Sequence, residues 1–244
     1  MSCAVIFAGG TGSRMHNPIP KQFIEVFGKS ILLHTIEQFH RHSQIHTISV
    51  VCLQNRIDEL KALTARFGLD KVKHIVPGAQ TGQQSIYKGL AALQEDSSLD
   101  DIVLINDGVR PFVSQEIITR CIDCVKEYGS AIPSAPVPET IGIAEDIGIV
   151  EDTGEISEIP KRGKCYTLKA PQGFYLGEIL KAHHMAMNEG KYCFTNSAEL
   201  FMHYGGRLHV LTDNGVNFKI TAPSDVELMK ILWPSWQKGE YQSE

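Results

Sequence analysis

Short apolar runs alternate with stretches of helical period, and that alternation constrains the fold more than any other feature of the chain. The runs are Cys-Ala-Val-Ile-Phe-Ala (3–8), Thr-Ile-Ser-Val-Val-Cys (47–52), Val-Lys-His-Ile-Val (72–76), Asp-Ile-Val-Leu-Ile-Asn (101–106) and Ser-Ala-Ile-Pro-Ser-Ala-Pro-Val (130–137). Runs of this length read as strands, and strands separated by helices pair in parallel, because a parallel neighbour needs a long crossover. The crossover helices fall at 30–42, opened by the Ser30 cap, at 55–67, at 83–94, and at 114–128, where Ser114 caps and Glu116 and Glu127 lie on the polar face. The chain therefore reads as α/β, a mostly parallel sheet flanked by helices.

Residues 138–168 break this rhythm. From Thr140 the chain alternates β-branched residues with turn formers and then reaches the hairpin-like Asp152-Thr153-Gly154, so the stretch reads as a protruding β-arm. Beyond it the pattern predicts helices at 176–188 and 197–204, strands at 208–211 and 217–220, and a last helix at 224–232 stopped by Pro234. With 244 residues and no internal repeat, linker or low-complexity segment, the expectation is a single domain, 1–244.

Hydrophobic residues make up 43% of the chain and charged residues 21%, which excludes disorder and a disulfide-stapled scaffold. The 23 Lys and Arg against 28 Asp and Glu leave a net charge of −5, so no overall field favours nucleic acid or an acidic membrane, and any anion site must be local. No apolar run approaches the roughly 18 residues of a membrane span, and the opening residues lack the basic and long apolar regions of a signal peptide. A cytoplasmic protein is expected, without membrane or nucleic-acid partners. The six cysteines, Cys3, Cys52, Cys121, Cys124, Cys165 and Cys193, are scattered as reduced thiols would be. Cys121 and Cys124 form a C-x-x-C, but in mid-helix and without a second pair, so they read as helix residues rather than metal ligands. His40 with His42, and His183 with His184, lack the i,i+4 spacing that puts two ligands on one helix face.

Chemistry concentrates where strands end. The first strand runs into Ala8-Gly9-Gly10-Thr11-Gly12-Ser13-Arg14-Met15 and on to Pro20-Lys21-Gln22. Glycines let backbone N–H groups approach phosphate oxygens, and Arg14 and Lys21 can neutralise them, although any tight strand-to-loop turn uses the same glycines. The Gly-Lys-Ser/Thr of a P-loop is missing. A dinucleotide site is disfavoured by the missing third glycine and by Cys52-Leu53-Gln54-Asn55, which offers no acid to a ribose. The fourth strand ends in Asn106-Asp107-Gly108-Val109-Arg110-Pro111, and open parallel sheets bind ligands beyond the carboxyl ends of their strands. Asp107 is there either a Mg²⁺ ligand or a turn-capping residue. Lys219, within Asn217-Phe218-Lys219-Ile220-Thr221, is either a substrate-facing cation or a solvated strand lysine.

Taken in order, the glycine loop, Pro20-Lys21-Gln22-Phe23, Asn106 to Pro111, the arm end at 160–174, Phe194-Thr195, and Asn217 to Thr221 with Ala222-Pro223-Ser224-Asp225 resemble the polyol-phosphate cytidylyltransferases, from Cys3 to Leu232. Gly9-Gly10 and Gly108-Val109 are similar to the ribitol-5-phosphate branch. The methylerythritol branch usually shows Ala-Ala-Gly and Asp-Ala-Ala-Arg-Pro. The resemblance implies a Rossmann-like fold, a homodimer with interlocking β-arms, and transfer of CMP from CTP to a polyol phosphate. In the favoured branch that acceptor is D-ribitol 5-phosphate, giving CDP-ribitol for cell-surface polysaccharide; the alternative is 2-C-methyl-D-erythritol 4-phosphate of isoprenoid biosynthesis. The resemblance further implies that Arg14 and Lys21 hold the triphosphate and that Ala8, Gly9, Gly10, Thr11, Gly12, Ala79 and Ser85 frame the nucleotide. Asp107 would bind Mg²⁺, Arg110, Lys219 and Thr195 would face the second substrate, and Thr140 and Arg162 would enter the neighbouring subunit's site.

Two positions depart from the family pattern: Ala170 stands where a Thr usually precedes Pro-Gln, and Asn196 where an Asp usually follows the Thr. Both lie on the second-substrate side. The loop from Gly78 to Ser85 is about one residue longer than usual and lacks its Arg. The implied chemistry needs no general base, because a phosphate monoester, with its second pKa near about 6, is already ionised at neutral pH. Repulsion is the obstacle: Mg²⁺ with Arg14, Lys21, Arg110, Arg162 and Lys219 sets about +7 against about −6 on the two substrates. A binding-only relative and a nicotinamide reductase are the competing readings, separated by pyrophosphate release and by titration with NAD(P)H.

Overall fold

Ser2–Phe7 (β1) is buried on both faces, with Ala4 and Ile6 in one apolar cluster and Cys3 and Val5 in the other. This is the pattern of a central strand covered by helices on both sides. The structure, a computed structural model, describes residues 1–10, 19–145 and 155–240. After β1 come Glu25–Val26 (β2), Lys29–Ser30 (β3), Ile31–Arg41 (α1), Ile45–Cys52 (β4), Ile57–Arg66 (α2), Val72–Pro77 (β5), Gly82–Leu93 (α3), Ile102–Asp107 (β6), Gln115–Tyr128 (α4) and Ser130–Pro136 (β7). The second half holds Ile143–Glu145 (β8), Glu155–Glu158 (β9), Tyr166–Leu168 (β10), Gln172–Tyr175 (β11), Leu176–Asn188 (α5), Ser197–His203 (α6), Val210–Thr212 (β12) and Pro223–Gln237 (α7).

Among the described residues the main sheet has eight strands in the order β10-β7-β11-β6-β1-β4-β5, with β12 also on β7. β5, β4, β1 and β6 run parallel, while β11 is inserted antiparallel between β6 and β7. The expected mostly parallel sheet is present. Helices α1, α2 and α4 cover one face through Leu32, Ile36, Leu60 and Ile118; α3, α5 and α6 cover the other through Leu90, Ile179 and Leu200. Ser30 and Ser114 accept from the N–H groups of Leu33 and Ile117, as the sequence predicts for N-caps. Cys121 and Cys124 lie on α4, their thiols donating to the carbonyls of Pro171 and Ser130.

Two expectations are corrected. Residues 217–220 form no strand: the segment makes one backbone bond along the β6 loop, Ile220 N–H to Val109 C=O at 2.9 Å, and then turns onto the Asp225 carboxylate. The last helix does not stop at Pro234 but runs to Gln237. A proline there removes one backbone bond, and the flanking Trp233 and Trp236, stacked at 5.1 Å and buried against Phe112, hold the helix down. Within the arm, β8 and β9 pair antiparallel outside the main sheet, and β10 returns to the sheet on β7. The Asp152-Thr153-Gly154 turn lies outside the described residues, in which no helix is long and apolar enough to cross a membrane.

Candidate functional site

Strand order reverses between β1 and β6: from β1 the chain crosses to β4 on one side, and β6 adds on the other. A crevice opens outside the carboxyl ends of these two strands, where the glycine loop and Asp107 emerge side by side. Gly9 packs against the 78–85 loop, since a Cβ on it would lie 3.6 Å from both Gly78 Cα and Ser85 Oγ. Ser85 Oγ accepts from the Ala79 N–H at 2.8 Å and donates to the Thr81 carbonyl at 2.8 Å. Thr81 in turn caps α3 in a capping box with Gln84. Of the expected nucleotide-side residues, Gly9, Ala79 and Ser85 therefore meet, with Ala8 and Gly10 beside them on the chain. Lys21 joins them through its neighbour, because Gln22 Nε2 donates to the carbonyls of Ala8 at 2.7 Å and Gly10 at 2.9 Å. Thr11, Gly12 and Arg14 lie outside the described residues.

Asp107 ends β6 between two cations. Arg110 Nε donates to Oδ2 at 2.8 Å and Lys219 Nζ to Oδ1 at 2.7 Å. Burial alone would raise the Asp107 pKa, but Lys219 and then Arg110 outweigh it and hold the carboxyl below the usual range. Arg110 is fixed again at its far end, donating to the Asn217 carbonyl at 3.2 Å, and Asn217 is itself anchored on Ala170 and Asp213. The close seat of this turn requires Gly108: a Cβ there would fall 2.9 Å from Ala8 Cβ and from Leu32 Cδ1.

A cleft of about 290 Å³ extends from Asp107, Arg110 and Lys219 toward Thr195. The structure thus gathers four of the expected second-substrate and metal residues. Thr140 and Arg162 are exposed and do not line this cleft. Sequence reasoning missed Lys169, which also lines it and whose Nζ donates to the Asp213 carbonyl at 2.8 Å. Its signal was its place directly before the departure at Ala170. Gln83 and Gln172 were missed too; each holds the wall carrying Thr195, with Gln83 accepting from the Phe194 N–H and Gln172 from the Ala198 N–H. Asn196, the other departure, caps α6 by accepting from the Glu199 N–H at 2.9 Å, so the amide performs the capping an Asp would.

Among the described residues no cluster of three His, Cys, Asp or Glu side chains could hold a metal by itself. Asp107 fits the other kind of site. Each of its oxygens accepts one bond and keeps a lone pair, and Mg²⁺ is commonly held by one or two carboxylates together with substrate phosphates.

The chain matches the profile described as "IspD: 2-C-methyl-D-erythritol 4-phosphate cytidylyltransferase" over residues 2–233. It is 39% identical over 236 residues to a ribitol-5-phosphate cytidylyltransferase of Vibrio parahaemolyticus, covering 95% of each chain. It is 41% identical over 234 residues to one of Streptococcus agalactiae, covering 96% of this chain and 95% of the other. A 2-C-methyl-D-erythritol 4-phosphate cytidylyltransferase of Thermosipho melanesiensis is 32% identical over 231 residues, covering 95% of this chain and 97% of the other. Among solved structures, 4-diphosphocytidyl-2C-methyl-D-erythritol synthase of Anaerococcus prevotii superposes with a TM-score of 0.77 at 25% identity, covering 96% of each chain.

Proposed function

The chain belongs to the 2-C-methyl-D-erythritol 4-phosphate cytidylyltransferase (IspD) family, and we propose that it transfers CMP from CTP to D-ribitol 5-phosphate, forming CDP-ribitol and releasing pyrophosphate. The observation that carries the choice of acceptor is the identity gap. The two ribitol relatives stand at 39% and 41%, and methylerythritol relatives at 32% and 36%, all over nearly the whole chain. Gly9-Gly10 and Gly108-Val109 support the same branch.

An ionised phosphate oxygen of the acceptor attacks the α-phosphorus of CTP; a new P–O bond forms, the bond to the β-phosphate oxygen breaks, and pyrophosphate leaves with its electron pair. No residue need remove a proton, so the protein's task is to hold two anions together in line. Lys21, kept beside the glycine loop by Gln22, meets the triphosphate, as does Arg14, while the backbone at Ala8, Gly9, Gly10 and Ala79 frames the nucleoside. Arg110 and Lys219 carry the acceptor's phosphate, pre-oriented by the carboxylate they share. A Mg²⁺ on Asp107 would neutralise phosphate charge and polarise the α-phosphoryl group when bound.

The hairpin of β8 and β9 supports a homodimer. It stands outside the main sheet and exposes Ile143, Ile156 and Ile159, at 46%, 59% and 64% of their surface. A lone two-stranded ribbon is marginally stable, so a second copy is proposed to cover it. Thr140 and Arg162, just outside β8 and β9, then enter the partner's site.

A pyrophosphate-release screen tests the proposal, crossing CTP, UTP and ATP with ribitol 5-phosphate, methylerythritol 4-phosphate and other pentitol phosphates, with and without Mg²⁺. Release fastest with CTP and ribitol 5-phosphate is expected. Absence of release with every acceptor phosphate would favour a binding-only protein.

A further inference from the structure

Two polar atoms buried in the walls of the cleft have no hydrogen-bond partner: Asn106 Oδ1 on β6 and His183 Nε2 on α5. Both residues line the cleft that contains Asp107, and each is 1% exposed. Leaving two buried polar atoms unpaired is costly, and such atoms in a cleft are accounted for by what binds there.

Their chemistry limits the ligand. Asn106 Nδ2 donates to the Asp107 carbonyl at 2.9 Å, so turning the amide would set two oxygens against each other. Asn106 Oδ1 is therefore an acceptor that needs a donor. The cations of the cleft are engaged elsewhere, Arg110 and Lys219 by Asp107 and Lys169 by Asp213. His183 packs against Tyr87 with ring centroids 5.8 Å apart, and burial pushes its pKa down to about 4, so the neutral ring offers Nε2 as donor or acceptor according to tautomer. Phosphate and pyrophosphate bring only acceptors and leave Asn106 unsatisfied. A hydroxyl group donates and accepts, and so suits both atoms.

We propose that Asn106 and His183 form a hydroxyl-binding subsite for the part of the acceptor farthest from its phosphate, selecting a longer polyol over a shorter one. The inference rests on the reading of the second substrate as a polyol phosphate whose phosphate lies at Arg110 and Lys219. The same cleft is lined by Asn106 and His183, so an extra hydroxymethyl group would find there two partners that a four-carbon chain would leave to water.

The test compares ribitol 5-phosphate with erythritol 4-phosphate in wild type, His183→Phe, His183→Gln and Asn106→Leu. The wild type should prefer the longer acceptor, and His183→Phe should lower kcat/KM for ribitol 5-phosphate about tenfold or more, through KM for the polyol with KM for CTP unchanged. His183→Gln, which keeps a polar end, should recover part of the loss, and Asn106→Leu should abolish the preference. The unliganded His183→Phe protein should melt no lower than wild type, because it loses no bonded partner. An unchanged preference for the longer acceptor in folded His183→Phe and Asn106→Leu would overturn the proposal, and means that water alone fills the subsite. If the wild type turns over no polyol phosphate, the substrate reading falls, and saturation-transfer NMR with ribitol 5-phosphate and free ribitol decides the subsite. Signals that the His183→Phe variant loses would uphold it; equal signals, or none, would overturn it.

Discussion

Replacing Asp107 with Asn keeps the shape of the site and removes the charge that organises it. The carboxylate accepts from Arg110 at 2.8 Å and from Lys219 at 2.7 Å, whereas an amide keeps one acceptor and turns its NH₂ toward the other cation. One charge-assisted bond, worth about 1.5–3 kcal/mol, is lost. Lys219 is 39% exposed, and water screens its share, which sets the destabilisation near the lower end, about 2 kcal/mol. For a chain of this size that is a fall in Tm of about 4–8 °C. Turnover should fall further, by about 10²–10³ in kcat, because the freed cation no longer meets phosphate in a fixed geometry. The stability gap carries a pH signature. The Asp107 carboxyl is held below the ordinary aspartate value of 3.8, so its stabilisation is fully present above that pH and is lost as pH falls through the lower folded value. The gap between wild type and Asp107→Asn should thus be constant at neutral pH and close in acid. Scanning fluorimetry across pH and a pyrophosphate-release assay read both effects. A variant that melts like wild type and keeps near-normal turnover at low Mg²⁺ would refute this account of Asp107.

Gly108→Ala should lower the urea midpoint by an equivalent of about 1–3 kcal/mol, since its Cβ would fall 2.9 Å from Ala8 and Leu32; an unchanged midpoint would show that the turn relaxes freely. Mixing Arg162→Ala chains with Lys21→Ala chains should restore part of the activity that each lacks alone, because some mixed dimers hold one intact site. Verified mixed dimers without recovery would place both residues in one chain's site. His183, with a folded pKa pushed down to about 4 from 6.5, takes up its proton more readily when unfolded, so it costs stability as pH falls from 6.5 toward 4. His183→Phe should flatten the acid limb of the stability curve in that window, and an unchanged limb would mean that the ring is not buried neutral.

The parallel half of the sheet was legible in the sequence because β1, β4 and β6 are largely apolar and buried, and α1, α3 and α4 open on Ser or Thr caps. Ser30 and Ser114 act locally, and so can be read locally. Residues 217–220 were misread because alternation records only which side chains are covered. Whether a backbone pairs depends on what lies beside it, and here Val109 offers a single carbonyl. Pro234 was misread because the burial of Trp233 and Trp236 overrides the local cost of a proline. At the site, Asp107, Arg110 and Lys219 were each visible as motif residues, but their convergence is a long-range fact: Lys219 reaches Asp107 across more than a hundred positions of chain. Lys169 and His183 share no spacing with them, and Asn106, though it precedes Asp107 in the motif, carries no sequence sign of its unpaired oxygen. Only the fold brings α5, β6 and the start of β11 to one cleft.

The most direct test of the central claim is kcat/KM for ribitol 5-phosphate against methylerythritol 4-phosphate, each with saturating CTP and Mg²⁺, in wild type and in Ala170→Thr. Ala170 is buried and lines the cleft where the family usually has a Thr. A methyl in place of a hydroxyl leaves unpaired any substrate hydroxyl that needs that partner, which costs about 1–3 kcal/mol, or one to two powers of ten in specificity. The account predicts that the wild type uses ribitol 5-phosphate at least about tenfold better, and that Ala170→Thr narrows the difference. A wild type that uses methylerythritol 4-phosphate about tenfold better would contradict it.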